Sequence, residues 1–86
     1  MFTMEYWGAE LDSFDRLIQQ ANDEVKTDRL VKGLTYLGAQ IAQQNPDHKR
    51  EVVDAVVQRL LKIEEKMGHA WFLTRVVEIT AHNLPA

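Results

Sequence analysis

The sequence predicts an all-α fold, a compact bundle of four helices joined by short connections. Apolar residues recur at intervals of three and four along almost the whole chain, which is the period of an amphipathic helix. No segment alternates apolar and polar residues over a useful length, and neither Asn-Gly nor Asp-Gly hairpin turns occur. With 86 residues, the chain has the length of one domain, so we expect a single helical domain over 1–86.

The first two predicted helices span about 4–25 and 28–44, with Thr3 and Thr27 as their N-caps. The apolar stripe of the first is formed by Met4, Trp7, Leu11, Phe14, Ile18, Ala21 and Val25. The stripe of the second is formed by Leu30, Leu34, Leu37 and Ile41. At about 100° per residue, these stripes point in different directions, so one straight helix cannot bury both. We therefore predict a break near Lys26-Thr27.

The third and fourth predicted helices span about 47–67 and 70–82. Asn45-Pro46-Asp47 is a strong start signal, since asparagine caps helices and proline suits the first helical position. Apolar residues cover about half the circumference of the third helix, which predicts that it is the centre of the core. Val56 and Leu60 lie in the middle of this arc and are expected to be nearly fully buried. Gly68 is expected to end the helix in a left-handed conformation.

The composition is that of a folded protein, with 45% hydrophobic and 27% charged residues. The absence of cysteine excludes disulfides and thiolate zinc sites and favours a cytoplasmic location. We expect no signal peptide, because the first residues lack a basic region, and no membrane span, because no apolar run approaches roughly 18 residues. The net charge of −3 has the wrong sign for a general nucleic-acid binder.

Residue types that carry catalysis or bind metals occur here without the spacing that those functions need. The pairs Glu65/His69 and Glu78/His82 are four residues apart, whereas di-metal helical bundles use Glu-x-x-His with further glutamates on other helices. We interpret both pairs as exposed side-chain pairs. Ser13 has no nucleophile motif around it, and glycine-rich phosphate-binding motifs are absent. The sequence therefore predicts a non-enzymatic protein without a catalytic residue, cofactor or metal.

Two aromatic residues, Tyr36 and Trp71, project away from the apolar sides of their predicted helices. An aromatic ring beside arginine and amide side chains is a common composition for a binding hot spot. The residues predicted to bind a protein partner are Arg29, Lys32, Tyr36, Gln40, Trp71 and Arg75. Alternatively, Tyr36 packs against an adjacent helix or the N-terminal segment, and Trp71 folds onto the core or stacks on Arg75.

Two function classes are favoured over a third, an enzyme or metal protein that would use the glutamate–histidine pairs. The first is a small adaptor, inhibitor or regulator that binds another protein as a homodimer, because pairing two chains would bury the surplus apolar surface. The alternative is a nucleic-acid-associated regulator that uses Lys26/Arg29/Lys32 and Lys49/Arg50. The position of Glu64 is a separate question. Glu64 lies on the apolar arc of the third helix, where it either emerges at the edge of the core or needs a buried basic partner.

Overall fold

The computed structural model describes residues 6–83 and confirms the all-α bundle of four helices. A 3-10 turn, Pro46–His48, precedes the third helix. The helices are α1 (Ala9–Gln20), α2 (Glu24–Gln44), α3 (Lys49–Met67) and α4 (His69–Asn83). None of the helices within residues 6–83 combines the length and the apolar character that a membrane-spanning segment requires.

The break between α1 and α2 lies at residues 21–23, earlier than the sequence predicted. Asp23 is the N-cap of α2, because its side chain accepts a hydrogen bond from the backbone amide of Lys26 at 2.8 Å. The prediction that Thr27 caps this helix is wrong. Thr27 is buried inside α2, and its hydroxyl donates to the carbonyl oxygen of Asp23 at 2.8 Å. The predicted cap Thr3 lies outside the described residues.

The two other predicted boundaries are close to those observed. Pro46 is the first residue of the 3-10 turn, and Asn45 occupies its N-cap position without a capping hydrogen bond from its side chain. The side-chain amide of Asn45 donates instead to the carbonyl oxygen of Ile41 at 2.9 Å. Gly68 ends α3 with a φ of 95°, a conformation that favours glycine. The next helix begins at once, at His69. One residue with unusual backbone freedom therefore makes the whole connection between α3 and α4.

The core centres on α2, and not on α3 alone as the sequence predicted. Its buried apolar side chains are Leu11, Ile18, Ala21, Val31, Leu34, Ile41, Val52 and Ile63. The expectation that Val56 and Leu60 are nearly fully buried is wrong, since both are only partly buried. The apolar arc of α3 is wider than the surface its neighbours cover, so one edge of the arc faces the core and the other faces outward.

Two cationic side chains of α3 hold α1 against the bundle. The guanidinium of Arg59 donates to the carbonyl oxygen of Leu11 at 2.9 Å and to Asp12 at 2.8 Å, and its Nε lies 3.1 Å from Asp15. Two helical turns later, the ammonium of Lys66 donates to the carbonyl oxygen of Ile18 at 2.8 Å. It also contacts the carbonyl oxygens of Gln19 and Ala21, so it neutralises the negative C-terminal end of α1.

Candidate functional site

Tyr36 stands on the outer face of α2 and is 68% exposed. Its hydroxyl accepts a hydrogen bond from the side-chain amide of Gln40, one turn later, at 2.9 Å. Arg29 and Lys32 are exposed on the same helix. Within residues 6–83 the Tyr36 ring is therefore largely exposed and not packed between helices, while the part of the N-terminal segment before residue 6 lies outside the described residues. Arg29, Lys32, Tyr36 and Gln40, four of the residues predicted to bind a partner, share one exposed face of α2.

A cavity of about 620 Å³ opens beside this face, between α2 and α4. We call it the Tyr36 cleft; it is lined by Asp28, Lys32, Thr35, Tyr36, Ala39, Glu78, Ile79 and His82. Its apolar surface comes from the alanine, the isoleucine and the tyrosine ring, while both signs of charge are present among the remaining residues. This combination of an apolar floor and a mixed polar rim is typical of a surface that binds a protein.

Trp71 and Arg75, the two predicted partner-binding residues of α4, take part in packing within the protomer. The guanidinium carbon of Arg75 lies 5.5 Å from the centroid of the Trp71 ring. Trp71 is partly buried against the core, and its indole nitrogen is buried without a hydrogen-bond partner among the described residues. Both alternatives raised for Trp71, packing on the core and stacking on Arg75, thus describe its surroundings.

Asp28 connects these two groups of residues, although no sequence pattern singles it out. Its Oδ2 lies 3.0 Å from the Lys32 ammonium, and its Oδ1 lies 3.8 Å from the Arg75 Nε. Arg75 also donates to Glu78 at 2.8 Å. Of these contacts, the Asp28–Arg75 pair is the one that joins α2 to α4 beside the Tyr36 cleft.

A second, more apolar groove lies between α2 and α3 and has a volume of about 590 Å³. Its floor includes Gly38, Ala39 and Ala42 on α2. Gly38 is needed for close helix packing, because a Cβ atom at this position would lie 2.6 Å from Cγ2 of Val56. We call this feature the α2–α3 groove; its α3 wall is formed by Val53, Val56, Val57 and Leu60.

The predicted glutamate–histidine pairs are replaced by other partners. His69 Nδ1 lies 3.0 Å from Glu64, and not beside Glu65, which accounts for the position of Glu64 at the edge of the apolar arc. Glu78 pairs with the arginine three residues before it instead of the histidine four residues after it. Within residues 6–83, no three side chains of the metal-binding types are close enough together to hold an ion.

The basic surfaces predicted from the sequence are only partly available. Lys26 and Lys32 each lie near an aspartate one turn earlier, at 3.8 and 3.0 Å. Lys49 and Arg50 are exposed, and in the described part of the chain neither forms an ion pair. The cations therefore do not form one continuous basic face.

Comparison with known proteins adds no likeness to this description. No protein-family model, no curated protein and no solved structure matches this chain.

Proposed function

We propose that this chain is a non-enzymatic adaptor, inhibitor or regulator in the cytoplasm that acts by binding another protein, and that it does so as a homodimer. The observation that carries the proposal is the exposure of Tyr36 at the mouth of the Tyr36 cleft. A tyrosine ring left in water forgoes roughly 1.5–3 kcal/mol of burial. Such a ring gives a partner a large contact area with little conformational freedom to lose.

The surroundings of the ring supply what a hot spot needs. Lys32 and Gln40 stand on the same helix and provide donors at the rim, and Ile79 provides apolar surface within the cleft. A cavity of about 620 Å³ has room for a few side chains of a partner. We therefore expect the partner to insert one or two apolar side chains beside Tyr36 and to place polar groups at the rim.

The proposal is tested by comparing three forms of the tagged protein in quantitative affinity capture from its native cells. Tyr36→Ala should lose the proteins that the unmodified chain retains. Leu17→Ala is the matched control, because Leu17 is also an exposed large side chain, at 48%, but lies on α1. Both variants should keep the unfolding free energy within about 1 kcal/mol of the parent. Identical capture by the parent and Tyr36→Ala would contradict the proposed site.

Nucleic-acid binding is the second candidate, and it is supported by Lys49 and Arg50, which are exposed and form no ion pair within residues 6–83. This candidate function predicts that the protein slows the migration of random-sequence duplex DNA in a gel, and that the effect falls steeply with added salt. Lys49→Gln with Arg50→Gln should then abolish the shift. The absence of a shift at low salt leaves protein binding as the better proposal.

A further inference from the structure

A line of exposed apolar side chains runs along α3, on the side of the helix away from α1. We call it the α3 stripe; it consists of Val53, Val57 and Leu61, which are 48, 43 and 48% exposed. At about 100° per residue, Arg59 and Lys66 lie roughly 160–180° around the helix from Val57. Since those two cations bind α1, α1 packs against the opposite side of α3 and leaves the stripe uncovered.

The stripe is bounded by opposite charges in a symmetrical order. Arg50 precedes Val53 by three residues, and Glu64 follows Leu61 by three, so the spacing from Arg50 to Glu64 is three, four, four, three. All five residues fall within about 80° of the helix circumference. The order therefore has the same spacing in both directions from Val57, with a cation at one end and an anion at the other.

We propose that a second copy of this chain packs its α3 antiparallel against this α3, on a two-fold axis through Val57. This arrangement places Val53 opposite Leu61 of the other copy, and Arg50 opposite Glu64. A two-fold interface brings the same patch of both copies together, so the patch has to be complementary to itself. The reversed order of charge and the even spacing of apolar residues satisfy that condition. The inference rests on the homodimer that is part of the proposed function.

The charges favour the antiparallel arrangement over a parallel one. Arg50 is exposed and forms no ion pair within residues 6–83, and Glu64 has only the side chain of His69 as a partner there. Parallel helices would bring Arg50 against its own copy, where like charges repel. Antiparallel helices bring Arg50 close to the Glu64 carboxylate of the other copy, and each dimer contains two such pairs.

The chain exposes more surface than a compact protein of its size. Its accessible area is 6629 Å², whereas a compact monomer of 9.9 kDa has about 5,200 Å². Surface is therefore left for a second copy to cover, and the α3 stripe is part of it.

Charge reversal tests the pairing by sedimentation equilibrium. The unmodified chain should be a dimer at about 10 μM, in the range where specific protein interfaces are stable. Arg50→Glu and Glu64→Arg should each weaken dimerisation about tenfold or more, and the double variant should recover most of the loss, because the pair is reversed as a whole. Lys62→Glu is the matched control, an exposed charge of α3 outside the stripe. A monomer at about 100 μM, or a double variant no better than the singles, would overturn the inference.

Cysteine cross-linking tests the axis, and the natural absence of cysteine makes every product unambiguous. Under oxidised glutathione, Val57→Cys should cross-link to itself. Val53→Cys should not cross-link to itself, because the two copies of position 53 are about 12 Å apart along the helix axis. A mixture of Val53→Cys and Leu61→Cys should form the mixed disulfide. Val77→Cys on α4, which is more accessible than the stripe at 63% exposure, is the control. Self-cross-linking at all three stripe positions would indicate parallel helices and overturn the inference.

The same measurements separate this inference from the partner site. Tyr36→Ala should leave the dimer unchanged, since Tyr36 lies outside the α3 stripe. A dimer with no partner captured through Tyr36 would contradict only the partner site. Capture through Tyr36 by a monomeric chain would contradict the α3 interface instead.

Discussion

The ammonium of Lys66 lies 2.8 Å from the carbonyl oxygen of Ile18, so a side chain of α3 closes the C-terminal end of α1. The last carbonyls of a helix have no partner within the helix, and together they carry a partial negative charge. The Lys66 ammonium, supplied by a neighbouring helix, donates hydrogen bonds to these carbonyls and compensates their negative charge. The contact lies where α1 ends, at Gln20, several residues before the apolar periodicity of the sequence does.

Lys66→Met should lower the unfolding free energy by about 1–2 kcal/mol, because the methionine keeps the apolar stem but leaves the carbonyls of α1 without their cation. Urea unfolding followed by circular dichroism measures the change. Lys62→Met serves as control, since Lys62 is exposed on the same helix and forms no ion pair in the described residues. Equal losses in the two variants would show that the capping contact contributes nothing.

Arg59→Lys should lower the unfolding free energy by about 1.5–3 kcal/mol although the charge is kept. The guanidinium binds two backbone carbonyls and two aspartates at once, and its side chain is only 12% exposed. A single ammonium cannot reach all of these acceptors. Asp12→Asn should cost less than about 1 kcal/mol, since Asp12 is 54% exposed. An unfolding free energy that Arg59→Lys leaves unchanged would show that the planar guanidinium is not needed to hold α1.

Ile63→Ala should cost roughly 2–5 kcal/mol, enough to unfold much of a domain this small, because Ile63 is fully buried. Leu60→Ala should cost less than about 2 kcal/mol, since Leu60 is only partly buried. Chemical denaturation of the two variants side by side checks the order. The reverse order would mean that the arc of α3 is turned toward the core as the sequence first predicted.

Gly38→Ala should destabilise the protein by about 1–3 kcal/mol, because the new methyl group meets Val56 at 2.6 Å. Adding Val56→Ala should recover part of this loss by removing the methyl that clashes. A double-mutant cycle of unfolding free energies gives the coupling between the two positions. Additive losses would show that the two side chains do not meet.

The parts of the fold that could be predicted are those that local chemistry determines. Pro46 and Gly68 marked the ends of helices correctly, because each residue restricts or frees its own backbone. The start of α2 was misplaced because Asp23 and Thr27 are both good caps, and only tertiary burial decides that Thr27 lies inside the helix. Tyr36 was correctly placed outside, since its angle on α2 opposes the buried stripe.

The contacts that hold α1 could not be predicted, because their partners are far apart in sequence. Arg59 and Lys66 bind groups 44–48 residues earlier in the chain. On a helical wheel, either residue resembles an ordinary solvated cation. Asp28 was missed for the same reason, since its connection to Arg75 on α4 exists only once the helices have packed.

The attachment of α1 has a consequence for the dynamics of the native state. With 12 residues α1 is the shortest of the four α-helices in the described chain, and it buries only Leu11 and Ile18 within its bounds. Apart from the partly buried Phe14, its remaining hold comes from the hydrogen bonds and ion pairs of Arg59 and Lys66, and salt weakens the exposed ones. The amide hydrogens of α1 should therefore exchange with solvent at a lower free energy than those of α2, through a local opening that leaves the other three helices folded. Raising the salt concentration should widen that difference.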